Sequence, residues 1–121
     1  MSYISQYFMK IIQIDEIEEK RISDKEKVKV LIDHNIGKNI LSSMIILEPG
    51  GIVEPHKHEN EEQIYIILKG KGIVKIDDEE KEVGPNNIIY IPIGAEHSVK
   101  NDSNENFVYI WVASIIKNLM T

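Results

Sequence analysis

The chain is cut into short apolar runs by turn formers at intervals of about ten residues, and few folds tolerate that punctuation. The runs are Lys10–Ile14, Val28–Ile32, Ile40–Leu47, Ile64–Leu68, Gly72–Ile76, Ile88–Ile93 and Phe107–Ile116. Between them lie Asn35 to Gly37, Pro49-Gly50-Gly51, Gly70, Asp77-Asp78, Gly84-Pro85-Asn86-Asn87 and Asn101-Asp102-Ser103-Asn104. The runs are rich in Ile, Val and Tyr, whose branched and aromatic side chains suit a pleated, half-buried surface. Many short strands with regular turns predict an all-β sandwich or barrel. A chain of 121 residues forms one domain and buries roughly two-thirds of its unfolded surface, enough for a core without staples. It has no cysteine, which removes disulfides, thiolate metal sites and thiol nucleophiles together. The expected organisation is an N-terminal extension and charged segment over residues 1–26, packing on a barrel over 27–121. Residues 1–8 are read as an extension or an edge element. The one helical candidate is a turn or two around Asp15–Arg21.

Phe107–Ile116 is apolar on both parities. Phe107, Tyr109, Trp111, Ala113 and Ile115 share one face; Val108, Ile110, Val112, Ser114 and Ile116 share the other. A strand with one covered face alternates apolar and polar residues, so both faces of this one need a cover. A barrel interior supplies one. A second copy is the expected source of the other, since two-fold pairs are the commonest oligomer.

The formal net charge is −6, and no Lys/Arg cluster is free of interspersed acids. Nucleic acid is therefore not an expected partner. No segment approaches the about 20 apolar residues of a membrane-spanning helix, and the N-terminus lacks the pattern of a secretory leader. With the absence of cysteine, this makes the cytoplasm the expected compartment.

Three of the four histidines stand in a suggestive arrangement. His56 and His58 are one residue apart, so on a strand both point the same way and could bind a divalent ion through neutral ring nitrogens. His97 follows Pro92-Ile93-Gly94-Ala95-Glu96, a tight turn that aims a histidine at the start of the next strand. His34 sits in Asp33-His34-Asn35-Ile36-Gly37 and reads as an ordinary loop residue.

The spacing around these residues forms two motifs. The first is Gly50, five residues, His56-Lys57-His58, four residues, Gln63, six residues, Gly70. The second is Asn86, five residues, Pro92-Ile93-Gly94, two residues, His97, three residues, Asn101. Together they resemble the paired motifs of the cupin superfamily, with residues 50–101 as the motif core and the short inter-motif spacing of small single-domain members. Two positions depart from the family pattern. Asn86 replaces a glycine, and asparagine is the next best residue for a turn of positive φ. Gln63 replaces a carboxylate ligand.

The resemblance implies an all-β, double-stranded β-helix (jelly-roll) barrel holding one divalent transition metal through His56, His58, His97 and Gln63. Glu62 competes with Gln63 for the fourth place. Neighbouring strand residues face opposite ways, and the spacing to Gly70 favours Gln63. Three imidazoles and an oxygen donor suit Mn, Fe, Co, Ni, Cu or Zn without singling one out. Glu59 and Glu61 read as an exposed acidic loop. By parity, Tyr65 and Ile67 share the face of Gln63, while Met44, Ile46, Phe107, Tyr109 and Trp111 are candidates to line the mouth. No catalytic residue is assigned, although Tyr65, Tyr109, Glu54 and Glu96 are candidates to move a proton. No inward Arg or Lys is evident, which argues against a sugar phosphate. Two functions follow from the resemblance. One is a metal-dependent enzyme of oxidoreductase, dioxygenase or isomerase type, acting on a small oxygenated organic molecule. The other is a non-catalytic small-molecule-binding or sensor protein with a weak or empty metal site.

Overall fold

Among the described residues, ten strands occupy most of the apolar runs and several segments between them. The computed structural model describes residues 9–116; residues 1–8, including the expected extension or edge element, and 117–121 lie outside the described residues. In chain order the strands are β1 (Lys20–Ser23), β2 (Glu26–Ile32), β3 (Ile40–Leu47), β4 (Ile52–His56) and β5 (Glu61–Lys69), then β6 (Gly72–Ile76), β7 (Glu79–Val83), β8 (Ile88–Ile91), β9 (His97–Lys100) and β10 (Phe107–Ile115). All neighbouring pairs are antiparallel. They form a six-stranded sheet, β1-β2-β3-β10-β5-β8, and a four-stranded sheet, β4-β9-β6-β7. The result is the all-β jelly roll expected from the sequence.

Two N-terminal expectations need correction. Lys10–Ile14 is not a strand, and the helical candidate is one 3-10 turn at Ile14–Glu16. Residues 15–21 offer no apolar stripe for a helix to bury. Lys20–Ser23 instead pairs with β2, and Arg21 donates to both carboxylate oxygens of Glu48 at 3.0 and 3.1 Å.

The core lies between the sheets. Register decides which side chains reach it, because directly paired residues share a face. Ile45, Tyr109 and Ile67 form one inward row; all three are buried, as are Leu47 and its partner Phe107. The same parity sends Met44 and Ile46 outward, in rows with Ile110 and Val108. The expectation that Met44 and Ile46 line the mouth is thus overturned: Ile45 and Leu47 are the inward residues of β3. A strand apolar on both faces carries no parity signal to choose between them. The inner face of β10 belongs to the core, with Phe107 and Tyr109 in ring contact at 5.3 Å between centroids and Trp111 packed at its margin.

The turns obey the residues that make them. Gly70 and Gly94 have φ of 77° and 78°, and Asn86 takes φ of 74° where the family pattern has glycine. At Gly70 a Cβ would run into the carbonyl of Asn106. Asn101, the last residue of the second motif, is 1% exposed and is fully hydrogen bonded. Its Nδ2 donates to the carbonyls of Leu47 (2.8 Å) and Glu105 (2.7 Å), and its Oδ1 accepts from the backbone N–H (3.0 Å) and hydroxyl (2.7 Å) of Ser103. Its backbone pairs with Gly50, the opening glycine of the first motif, and with the adjoining Gly51, at 2.8 and 2.9 Å. The end of one motif is thereby locked to the start of the other.

Candidate metal centre

The histidines converge because two chain reversals are stitched together. His56 ends β4 and pairs in register with His97, the first residue of β9. His58 lies just past β4, so the shared strand face expected of His56 and His58 is not what unites them. The turn Pro92–Ala95 does this: Gly94 N–H donates to the His58 carbonyl at 2.8 Å, and the left-handed φ of Gly94 permits that approach. Ring centroids are 4.1 Å apart for His56 and His97, 5.1 Å for His56 and His58, and 5.7 Å for His58 and His97. One nitrogen from each ring lies within 4.8 Å of the other two. His34 is exposed in its turn, as expected.

The other ring nitrogens explain how the set is aimed. His56 Nδ1 lies 2.8 Å from the Glu54 carbonyl and His97 Nδ1 lies 3.0 Å from the Ala95 carbonyl. A carbonyl only accepts, so each Nδ1 carries the proton and each Nε2 keeps a lone pair. His97 Nε2 is buried without a hydrogen-bond partner. A buried polar atom left unpaired is costly, and a lone pair facing two other imidazoles is the form a divalent metal requires. Burial holds the His97 pKa below its ordinary value, with the neighbouring imidazoles His56 and His58 adding to the effect against the opposing Ala95 carbonyl and Glu61. His97 is therefore neutral and ligand-competent at neutral pH.

Gln63 is buried at 7% exposure on the inner face, between Ala113 and Ile91. Glu62 faces the other way and accepts a hydrogen bond from Tyr90 at 2.8 Å. Glu61 shares the inward parity of Gln63 and accepts a hydrogen bond from its Nε2 at 2.7 Å. It is not the exposed loop residue expected. Tyr65 packs its ring 6.2 Å from that of His97 and 4.7 Å from that of Tyr109; burial raises both phenol pKa values above the ordinary 10.0. Neither ionises in the physiological range. Glu54 and Glu96, the carboxylates singled out by sequence proximity, are exposed.

The sequence reading missed a second inward acid. Glu26 opens β2, pairs with the fully buried Leu47, and so points between the sheets. The titratable groups that face it are His56, Tyr65 and Tyr109. Burial raises its pKa above the ordinary 4.5, and His56 opposes the shift. The folded chain thus binds this proton more tightly than the unfolded chain. The penalty is absent below about pH 4.5 and builds as the pH rises through the folded value. Glu26→Gln is expected to raise the thermal midpoint at pH 7.5 and leave it unchanged at pH 4. A lower midpoint at both values would show that the carboxylate stabilises the fold instead.

The chain is similar to known proteins. The cupin domain family matches residues 43–113. An uncharacterized protein (MJ1618) of Methanocaldococcus jannaschii is 35% identical over 100 residues, covering 79% of this chain and 80% of that protein. An oxalate-binding protein of Thermotoga maritima is 27% identical over 114 residues, covering 88% of this chain and 94% of its own length. Among solved structures, a predicted oxalate decarboxylase from Thermotoga maritima superimposes with a TM-score of 0.80 at 26% identity, over 88% of this chain and 100% of that one. KdgF from Halomonas sp. does so with a TM-score of 0.81 at 16% identity, over 94% and 100%, a likeness of fold.

Proposed function

Because the chain belongs to the cupin domain family, we propose that it binds a small oxygen-rich acid of the oxalate class at one divalent transition metal held by His56, His58, His97 and Gln63. The single observation that carries this is the unpartnered, buried Nε2 of His97 among three imidazoles within ligand reach of one another. When bound, the metal supplies positive charge and a Lewis-acidic centre. The protein's donors are all neutral, so none of that charge is cancelled by a ligand carboxylate. Within the ligand shell an anionic guest is left to offset it, and a dianion does so most completely. The likeness to an oxalate-binding protein over nearly the whole chain supports the same class of guest. Tyr65 and Tyr109 contribute apolar walls and neutral phenols; Gln63 contributes an amide oxygen.

Calorimetry with sodium oxalate tests this. Protein loaded with Mn²⁺ should bind oxalate, and metal-stripped protein should not. Equal oxalate affinity with and without metal would place the guest elsewhere.

Glu26 favours a second reading, in which the same site is catalytic. It is an inward carboxylate whose proton burial holds more tightly than usual, a property suited to a group that donates or accepts a proton. In that reading the protein acts on its bound acid as an oxidoreductase or isomerase, and Glu26→Gln abolishes turnover while retaining oxalate binding.

The chain also reads as a homodimer. Outward-facing Ile64, Ile66, Ile110 and Val112 form an apolar surface on the six-stranded sheet, continued by Ile88 and Tyr90, which are 66% and 55% exposed. Such a surface is characteristic of association. Light scattering should give the mass of two chains for the wild type and one for Ile88→Asp. A monomeric wild type at micromolar concentration rules the dimer out.

A further inference from the structure

A family site with a carboxylate ligand carries its own negative charge; this one has Gln63 in that place. An acid beside it is Glu61, at the start of β5 on the same face. Its side chain is 16% exposed, unusually sequestered for a glutamate beside a turn. One carboxylate oxygen accepts from Gln63 Nε2 at 2.7 Å. The other faces His58 Nδ1 at 3.8 Å, beyond hydrogen-bond length but close enough to attract an Nδ1–H. Glu61 is not among the groups whose ligand atoms lie within 4.8 Å of one another.

These contacts have two consequences. A primary amide has one donor end and one acceptor end. With its NH₂ committed to Glu61, Gln63 presents its carbonyl oxygen as the free end. His56 and His97 have backbone carbonyls to fix the proton on Nδ1, whereas the group facing His58 Nδ1 is the Glu61 carboxylate. Negative charge there favours the tautomer that leaves the His58 Nε2 lone pair free, the role carboxylates play behind metal-ligating histidines.

We propose that Glu61 is the positioning residue of the centre, orienting both Gln63 and His58 and supplying from behind the ligands the negative charge that the ligand set lacks. This rests on the metal reading of the site. It also makes a claim about the metal-free protein that stands or falls separately.

The experiment compares wild type, Glu61→Gln and Glu61→Asp with Glu59→Gln. Glu59 lies two residues away with a side chain 73% exposed, so its change removes the same charge without touching Gln63. Two readouts are taken: Mn²⁺ affinity by calorimetry, and the His58 tautomer and Gln63 side-chain amide signals by ¹⁵N NMR of metal-free protein. Glu61→Gln should weaken Mn²⁺ binding by about 10- to 100-fold, with partial recovery in Glu61→Asp and wild-type affinity in Glu59→Gln. In metal-free protein, Glu61→Gln should move His58 away from the Nδ1–H tautomer and shift the Gln63 amide protons. Unchanged NMR signals in Glu61→Gln, or unchanged Mn²⁺ affinity where the wild type binds, overturns the role of Glu61. A wild type that binds no Mn²⁺, Zn²⁺ or Fe²⁺ overturns the metal reading instead, and the tautomer measurement still decides whether Glu61 orients His58.

Discussion

His97→Leu is expected to abolish tight metal binding while leaving the metal-free protein about as stable as the wild type. Structural sites draw on the order of 10–16 kcal/mol from about four ligands, so losing one costs about a hundredfold or more in affinity. The stability half of the prediction follows from burial. His97 is 1% exposed, and its Nε2 has no partner in the metal-free fold. An unpaired buried polar atom costs roughly 1–3 kcal/mol, whereas replacement by an apolar side chain of similar bulk usually costs less than about 1.5 kcal/mol. The variant also loses the Nδ1–H donation to the Ala95 carbonyl, which offsets part of that relief, so the opposing effects roughly cancel. Thermal melts with EDTA check the point: a variant melting well below metal-free wild type would mean that His97 is a structural residue and not a ligand kept at the expense of stability.

Asn101→Ala is expected to destabilise the protein by about 3 kcal/mol, a drop of roughly 10 °C in thermal midpoint for a domain of this size. Asn101 uses both amide hydrogens and its carbonyl oxygen inside the fold. Alanine leaves the carbonyls of Leu47 and Glu105 without that donor and the Ser103 backbone N–H without its acceptor. Asn101→Asp should be nearly as damaging, because a carboxylate cannot donate to the Leu47 carbonyl and a charge at 1% exposure is poorly solvated. Denaturant titration gives the magnitude. A change below about 0.5 kcal/mol for both variants would show that water replaces the lost bonds and that the clamp between the motifs is incidental.

Much of the molecule was legible where residue type and spacing carry a geometric requirement. The glycine at 70, the Pro-x-Gly turn and the histidines set the barrel's reversals. The six residues between Gln63 and Gly70 put Gln63 inside and Glu62 outside. Less was legible where tertiary context overrides pattern. β7 is four charged residues and a valine, and it is a strand because β6 pairs with it throughout. β4 contains Glu54 and Pro55, which no propensity would place in a strand, yet it lies at a sheet edge where proline is tolerated. Glu26 goes unread and Glu61 reads as an exposed loop residue for a shared reason: acids beside turns are ordinarily solvent-facing, and an inward one contradicts the local pattern. Register against Leu47 would have exposed Glu26. The parity Glu61 shares with Gln63 was available in the sequence. Such departures from local rules are expected at functional sites.

Metal analysis by plasma mass spectrometry tests the central claim most directly, on protein purified without chelators beside a His56→Ala variant. A three-histidine centre predicts about one divalent transition metal per wild-type chain and a near absence in the variant, with the fold retained. Equal metal content in the two proteins would contradict it.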